Sequence, residues 1–313
     1  VYTENVGGSS PSPPTTHSVR RAASPSRPLQ TSRAPFAPLS FPTDGMILHQ
    51  RHPCRRTLGW LMTLSSISPR LDSRPPVFDP EIVAGWLAAP WGLSGQLSPL
   101  TSERDLNHRL DAPHGRFVVK IANAAEPHAM TRFQSAALRH VARRDPGLPV
   151  PRLCPTQQGA NDVLLPEGHL MRVLTWLDGV PLHQTRAGRA QSAALARMAA
   201  GLTRALAGFA DPAADHVLQW DIKRAADLRP LLPHVADAAL RDLCRTVLDR
   251  VDRAVAPRLP DLPWQVVHGD LNPHNLLADP GDIDRIAGIL DFGDMVLTPR
   301  ICDLAVAASY RIE

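Results

Sequence analysis

The chain has 313 residues, 43% of them apolar, enough for one large or two modest domains with a buried core. Its formal net charge of +4 is unevenly placed: up to Pro76, nine Arg face only Glu4, Asp44 and Asp72, so the leader carries +6 and the remainder −2. The basic balance belongs to the leader and argues against a nucleic-acid-binding surface on the body.

Residues 1–76 are dense in Pro, Ser, Thr and Arg, as in Ser10-Pro11-Ser12-Pro13-Pro14, and no hydrophobic period survives. Such a segment cannot bury enough apolar surface to offset its ordering entropy, so a disordered leader is expected. Its Arg-rich, acid-poor composition also suits a transit peptide, and Arg55-Arg56 before Leu58-Gly59-Trp60-Leu61 faintly suggests a signal sequence. Upstream sequence outside the working protein is a third reading, with Met46 or Met62 as a start.

From Phe78 the pattern becomes orderly. Asp79-Pro80-Glu81 opens a short helix with Pro in its first turn. Strands are predicted over Gly92–Leu100, Asn107–Leu110 and Arg116–Ile121, the last rich in β-branched and aromatic residues. Glu126–Arg144 has helical periodicity, and Gly147 and Pro149 close it off. A further strand runs from Leu170 to Leu177 and ends at Asp178-Gly179. Helices follow at about 189–209 and 237–255, then short strands at Gln265–Val267 and Ile286–Leu290. The longest apolar stretch, Ser192–Ala210, contains Arg197 and Arg204 and reads as an amphipathic helix, not a membrane span. Strands with one helix, a connecting strand, then helices predict an α+β, two-lobed arrangement with a cleft between the lobes, at about 77–175 and 176–313.

Three signals carry chemistry. The first is His268-Gly269-Asp270-Leu271-Asn272-Pro273-His274-Asn275, a polar loop between apolar strands. Phosphoryl transfer needs a carboxylate to take the acceptor's hydroxyl proton and oxygen ligands for Mg²⁺; Asp270 supplies the first and Asn275 the second. Alone, the same residues also make an ordinary turn. The second signal is Asp291-Phe292-Gly293 at the end of an apolar strand, where Asp291 is the further metal ligand; together the two motifs are far more specific than either. The third is Lys120. Positive charge here is nearly always Arg, with Lys120 and Lys223 the only lysines, yet Lys120 sits within a core-like strand. A compact ammonium there suits the α- and β-phosphates, the alternative being an edge-strand side chain snorkelling to water.

These residues resemble the aminoglycoside phosphotransferase-like kinases, with His-Gly-Asp-x-x-x-x-Asn as their loop. Within them the chain is most similar to the hydroxylysine kinase branch and to kinase domains fused to class III aminotransferases. The closer match lies in Ser98–Asn107, Phe117–Ile121, and Asp291–Val296 continuing to Cys302–Ala305, and covers about Phe78 to Glu313. The resemblance implies a protein-kinase-like fold, ATP or GTP as donor, Mg²⁺, a small hydroxylated amine or amino acid as acceptor, and fusion or association with an aminotransferase. It places Ser102–Asn107 where a Gly-rich phosphate loop would lie, so Ser102, Asn107 and Lys120 are the expected nucleotide-binding residues. It also implies helices beyond Glu313, so the C-terminal lobe is expected to be cut short, with an apolar stripe at Ile301, Leu304, Ala305 and Ala308 left exposed. The Glu that pairs with the strand lysine in protein kinases falls near Gln134, which cannot neutralise an ammonium; Glu126 is the expected substitute.

Smaller signals complete the picture. His268 is expected to brace the loop, and Asp303 to cap a helix or brace the same loop. His274 and Asp294 lie near the cleft by position, as site residues or as solvated loop residues. Cys54, Cys154, Cys244 and Cys302 lie far apart with no C-x-x-C spacing, which argues against zinc or disulfides and fits the cytoplasm. A protein kinase is disfavoured, because Gly269 replaces the Arg that receives an activation-loop phosphate and Asp294 to Asp303 is too short for that loop. A nucleotide-binding pseudokinase or an inactive truncated fragment is the competing function class.

Overall fold

The computed structural model describes residues 73–311, so the leader expected over 1–76 lies outside the described residues up to position 72. Helix α1 (Pro80–Trp91) begins as its sequence dictates: the Asp79 carboxylate accepts from Glu81 N at 3.0 Å, and Pro80 occupies the first turn, where a missing N–H costs nothing. It buries Val83, Leu87 and Trp91.

That face packs on an antiparallel sheet in the order β1 (Gln96–Leu100), β2 (Leu106–Ala112), β3 (Gly115–Ile121), β6 (Leu170–Thr175), β4 (Leu153–Cys154), with β5 (Val163–Leu164) also paired to β6. Strand alternation divides the sheet's two faces. Phe117, Val119 and Ile121 of β3 share one apolar cluster with α1, whereas Val118 joins the larger core with Met130, Phe133, Ala137 and Val141 of α2 (His128–Arg144). Lys120 therefore belongs to the α2 side.

Beyond β6 come β7 (Val180–Pro181), α3 (Arg189–Ala205), α4 (Ala238–Arg250), β8 (Trp264–Val267), β9 (Leu276–Ala278), β10 (Ile286–Ile289), β11 (Val296–Pro299) and α5 (Ile301–Ser309). β10, β9 and β7 form one small antiparallel sheet, and β11 and β8 another. This topology positions the site. The polar loop 268–275 runs from β8 into β9, and 290–295 leaves β10 for β11, so the pairings β9–β10 and β8–β11 clamp the two loops side by side. Leu290 N donates to Asn275 O at 2.7 Å across the gap.

Several expected elements change length. The helix expected to 209 ends at Ala205, and Gly208 takes φ 78° just beyond it. The one expected to 255 is regular only to Arg250, then widens into a π turn over Val251–Val255. Residues 222–234 form 3₁₀ turns, consistent with Pro230 and Pro233 denying them regular helical bonds. Leu240, Leu243 and Val247 of α4 and Ile301 and Leu304 of α5 are exposed. Among the described residues, no helix is long and apolar enough to cross a membrane.

Candidate active site

Lys120, Asp270, Asn275 and Asp291 line one cleft of about 380 Å³, together with Ser102, Arg104 and Asp294. Lys120 is 5% exposed, and its Nζ lies 3.6 Å from Asp291 Oδ1 and 3.8 Å from Asp105 Oδ2. The strand lysine thus lies between two carboxylates, Asp291 and Asp105. The expected pairing near Gln134 takes another form. Lys120 faces Arg172 in register across β3 and β6, and Gln134 Oε1 accepts from that buried guanidinium, which also donates to Thr131 O and Ser135 Oγ at 3.3 Å. A Gln suits this place because its oxygen accepts from Arg172 while its amide donates to Gly293 O at 3.4 Å. Glu126 lines the cleft and acts electrostatically on Arg104.

Asp270 accepts from Asn272 Nδ2 at 2.7 and 2.8 Å, and from Asn275 Nδ2 at 2.7 Å. Because Asn275 Nδ2 also donates to Asp270 O at 3.0 Å, the network fixes the amide, and Asn275 Oδ1 is left buried without a partner. An orphaned buried acceptor costs stability unless something else meets it, and an amide oxygen turned toward a cleft that also holds a carboxylate fits a hard cation. Among the described residues, no cluster of three or more His, Cys, Asp or Glu is arranged to hold a metal. Two protein oxygens suit Mg²⁺, which usually keeps waters and phosphate oxygens as its other ligands.

Asp291 has φ 51°, a left-handed conformation uncommon outside Gly, and its carboxylate accepts from Gly293 N at 3.1 Å. Burial works against this carboxylate and the Lys120 ammonium works for it, with the balance on the charged side. Asp294 goes the other way. Burial first, then the charges of Asp291 and Asp270, push its carboxyl up to about 6, although Arg104 beside it pulls down.

The loop itself is braced from behind. Asp303 Oδ2 accepts from His268 N at 3.0 Å and Oδ1 from Gly269 N at 2.8 Å. His268 Nε2 donates to Leu290 O at 2.8 Å, and its Nδ1 accepts from Asp270 N at 3.2 Å, so one tautomer serves both bonds. Gly269 takes φ 84°, and a Cβ there would collide with the Asp294 carbonyl, a positive reason for glycine at this position. His274 stacks on His183 with ring centroids 4.0 Å apart.

The remaining expected residues are placed as follows. Ser102 Oγ accepts from Asp105 N at 3.2 Å and closes the turn between β1 and β2, while Asn123 Nδ2 holds that turn through Arg104 O at 3.1 Å. Asn107 is buried on β2 directly opposite Lys120, behind the cleft. Sequence reasoning missed Asp105 and Arg172. Asp105 lies in the turn just before β2, where no periodic pattern marks it. A second cavity of about 340 Å³ lies beside Trp176, Leu177, Leu174 and Leu290, where β6 leads into the connecting segment.

Comparison with known proteins bears on the family and the fold. The model of the phosphotransferase enzyme family (APH) matches residues 96–313. Hydroxylysine kinase of Mus musculus is 26% identical over 269 residues, 77% of this chain and 71% of the relative. Hydroxylysine kinase of Danio rerio is 30% identical over 242 residues, 71% of this chain and 67% of the relative. Among solved structures, a microcompartment-associated aminopropanol kinase superposes with a TM-score of 0.58 at 18% identity, covering 74% of each chain. That likeness shows the fold: α+β, two-lobed and protein-kinase-like.

Proposed function

Because the chain belongs to the phosphotransferase enzyme family, we propose that it moves the γ-phosphate of ATP or GTP onto a hydroxyl of a small amine or amino acid, hydroxylysine or an amino alcohol. The observation that carries this reading is the convergence of Lys120, Asp270, Asn275 and Asp291 on one cleft. The hydroxylysine kinases and the aminopropanol kinase among its relatives and neighbours supply the acceptor class.

In this reading each residue has a separate task. Asp270, its carboxylate oriented by two amide donors, takes the proton from the acceptor hydroxyl. Lys120, held between Asp105 and Asp291, supplies a fixed positive charge to the α- and β-phosphates. Arg172 adds positive potential behind it. The purine enters the cavity beside Trp176 and Leu177. Asn275 Oδ1 and the Asp291 carboxylate would hold Mg²⁺, which when bound neutralises charge on the phosphate oxygens. His268 and Asp303 act as positioning residues, because their hydrogen bonds brace the loop that carries Asp270 and tie it to Leu290. We place the enzyme in the cytoplasm, in keeping with free thiols at Cys154, Cys244 and Cys302.

The test is Asp270→Asn with hydroxylysine or 1-amino-2-propanol as acceptor. Turnover should fall about 10²-fold or more, the usual size of a general-base contribution, with nucleotide affinity nearly intact. Turnover like that of the unmodified chain removes Asp270 from the base role.

A further inference from the structure

The cleft holds a cation for which the transfer chemistry has no task. Arg104, in the turn between β1 and β2, reaches across to donate to Asp294 Oδ1 at 3.2 Å, and its guanidinium lies over the Trp220 ring, 5.7 Å from the centroid. The side chains of Arg104 and Asp294 are only 30% and 16% exposed. Both partners of Arg104 are held in place by their neighbours. Trp220 precedes Asp221, a buried carboxylate that accepts from Thr298 Oγ1 at 3.0 Å and pairs with Lys223 at 2.9 Å. The Asp294 backbone lies tight against Gly269, next to Asp270.

A carboxylate and an indole face meeting at one point form a receptor for a cation. The carboxylate contributes charge and hydrogen bonding, and the indole contributes its negative ring face. We propose that Asp294 and Trp220 form the subsite for the acceptor's ammonium group, and that Arg104 fills this subsite until an acceptor arrives. The proposal rests on the reading of the chain as a kinase of hydroxylated amines, and adds which residues select for the positive charge.

The placement has chemical logic. Asp294 lines the same cleft as Asp270, so an ammonium held there leaves the hydroxyl of a short amino alcohol near the base. A neutral polyol offers Asp294 no charge and competes poorly with a guanidinium; an ammonium competes well. Once displaced, Arg104 remains in the turn that also carries Ser102, facing the phosphates. Its movement therefore exchanges one anionic partner for another. The carboxylate of Asp294, disfavoured first by burial and then by the charges of Asp291 and Asp270, gains from any cation that stays beside it.

The test is calorimetric titration of hydroxylysine and of 1-amino-2-propanol into the full chain saturated with Mg²⁺ and a non-hydrolysable ATP analogue. Asp294→Asn and Trp220→Leu should each weaken amine binding by about tenfold or more, the equivalent of about 1.4 kcal/mol. Nucleotide affinity should stay within about twofold in both, which also reports that they fold. Arg104→Ala should tighten amine binding, because it removes the internal competitor. Should Asp294→Asn fail to fold, Trp220→Leu at its more exposed position carries the test. Unchanged amine affinity in the folded variants overturns the subsite whether or not phosphate is transferred. Amine binding that depends on both residues, without transfer to either probe, keeps the subsite and removes the kinase reading. Failure of both probes to bind the unmodified chain and Arg104→Ala alike overturns the subsite.

Discussion

Asp294 and Asp291 sit three positions apart and titrate in opposite directions: burial opposes ionisation at both, but Asp291 has the Lys120 ammonium beside it, whereas at Asp294 burial, and then the charges of Asp291 and Asp270, prevails. The consequence is a pH dependence with a definite sign. With its folded pKa raised to about 6, Asp294 binds its proton more tightly in the folded chain than in the unfolded one. Below about pH 4 the group is neutral in both states and the penalty vanishes; it grows as pH rises and is complete above about pH 6. Relative to the unmodified chain, nucleotide- and metal-free Asp294→Asn should therefore gain stability from pH 4 to pH 6, by up to about 3 kcal/mol, and level off above. Urea unfolding at pH 4.5, 5.5 and 7 checks this; a difference independent of pH removes the assigned shift. At this scale the sequence was legible where a motif fixes a residue's placement. Asp270 and Asn275 lie together in the cleft, and His268 and Asp303 brace their loop as expected. It was not legible where the role depends on a partner across the sheet. Asp105 and Arg172 explain Lys120 and Gln134, yet Asp105 sits in the turn before β2 and Arg172 on β6, and no local pattern brings either to its partner.

Among the elements, the long periodic ones were readable and the short ones were not. α2 and α3 repeat their apolar residues over several turns, so their existence follows from period alone. β4, β5, β7 and β9 have two or three residues each, too few to display any period, and they exist because a neighbouring strand offers its edge. The pair β8 and β11 is a further case: only β8 was anticipated, and β11 is defined by its register from Val296↔Val267 to Pro299↔Trp264. That pairing presses the Asp291–Asp294 turn against Gly269. Gly269→Ala should be severely destabilising, by about 3 kcal/mol or more, because it combines a left-handed backbone with a collision at the Asp294 carbonyl. Denaturant unfolding measures it. A loss under about 1 kcal/mol would mean that the two loops are not packed as described.

At the scale of the whole molecule, side chains from the β1–β6 sheet and α2 meet the Asp291–Asp294 turn at several points. Lys120 pairs with Asp291, Arg104 with Asp294, and Gln134 donates to Gly293 O. All three contacts end within one turn of four residues, and the proposed donor site lies beside it. Binding of Mg²⁺-nucleotide should therefore stabilise the fold as a unit, by about 2.7 kcal/mol at a hundredfold excess over Kd. Lys120 is the residue through which that coupling should pass. It is buried, it contacts Asp105 and Asp291 from one strand, and the chain's other lysine, Lys223, is engaged with Asp221 and Leu297 O. In Lys120→Met the stem is kept and the charge removed, so Asp105 and Asp291 lose their shared counter-ion and the phosphates lose theirs. The expected result is a lower melting temperature without ligand and a ligand-induced rise in melting temperature that is mostly lost. Lys120→Arg should recover the ligand-free stability better than the ligand response, because a forked guanidinium keeps the charge but does not fit a pocket shaped for a point charge. Thermal melts of the three proteins with and without Mg²⁺-nucleotide decide it. An undiminished nucleotide shift in Lys120→Met would put the phosphates elsewhere in the cleft and leave Lys120 a purely structural cation.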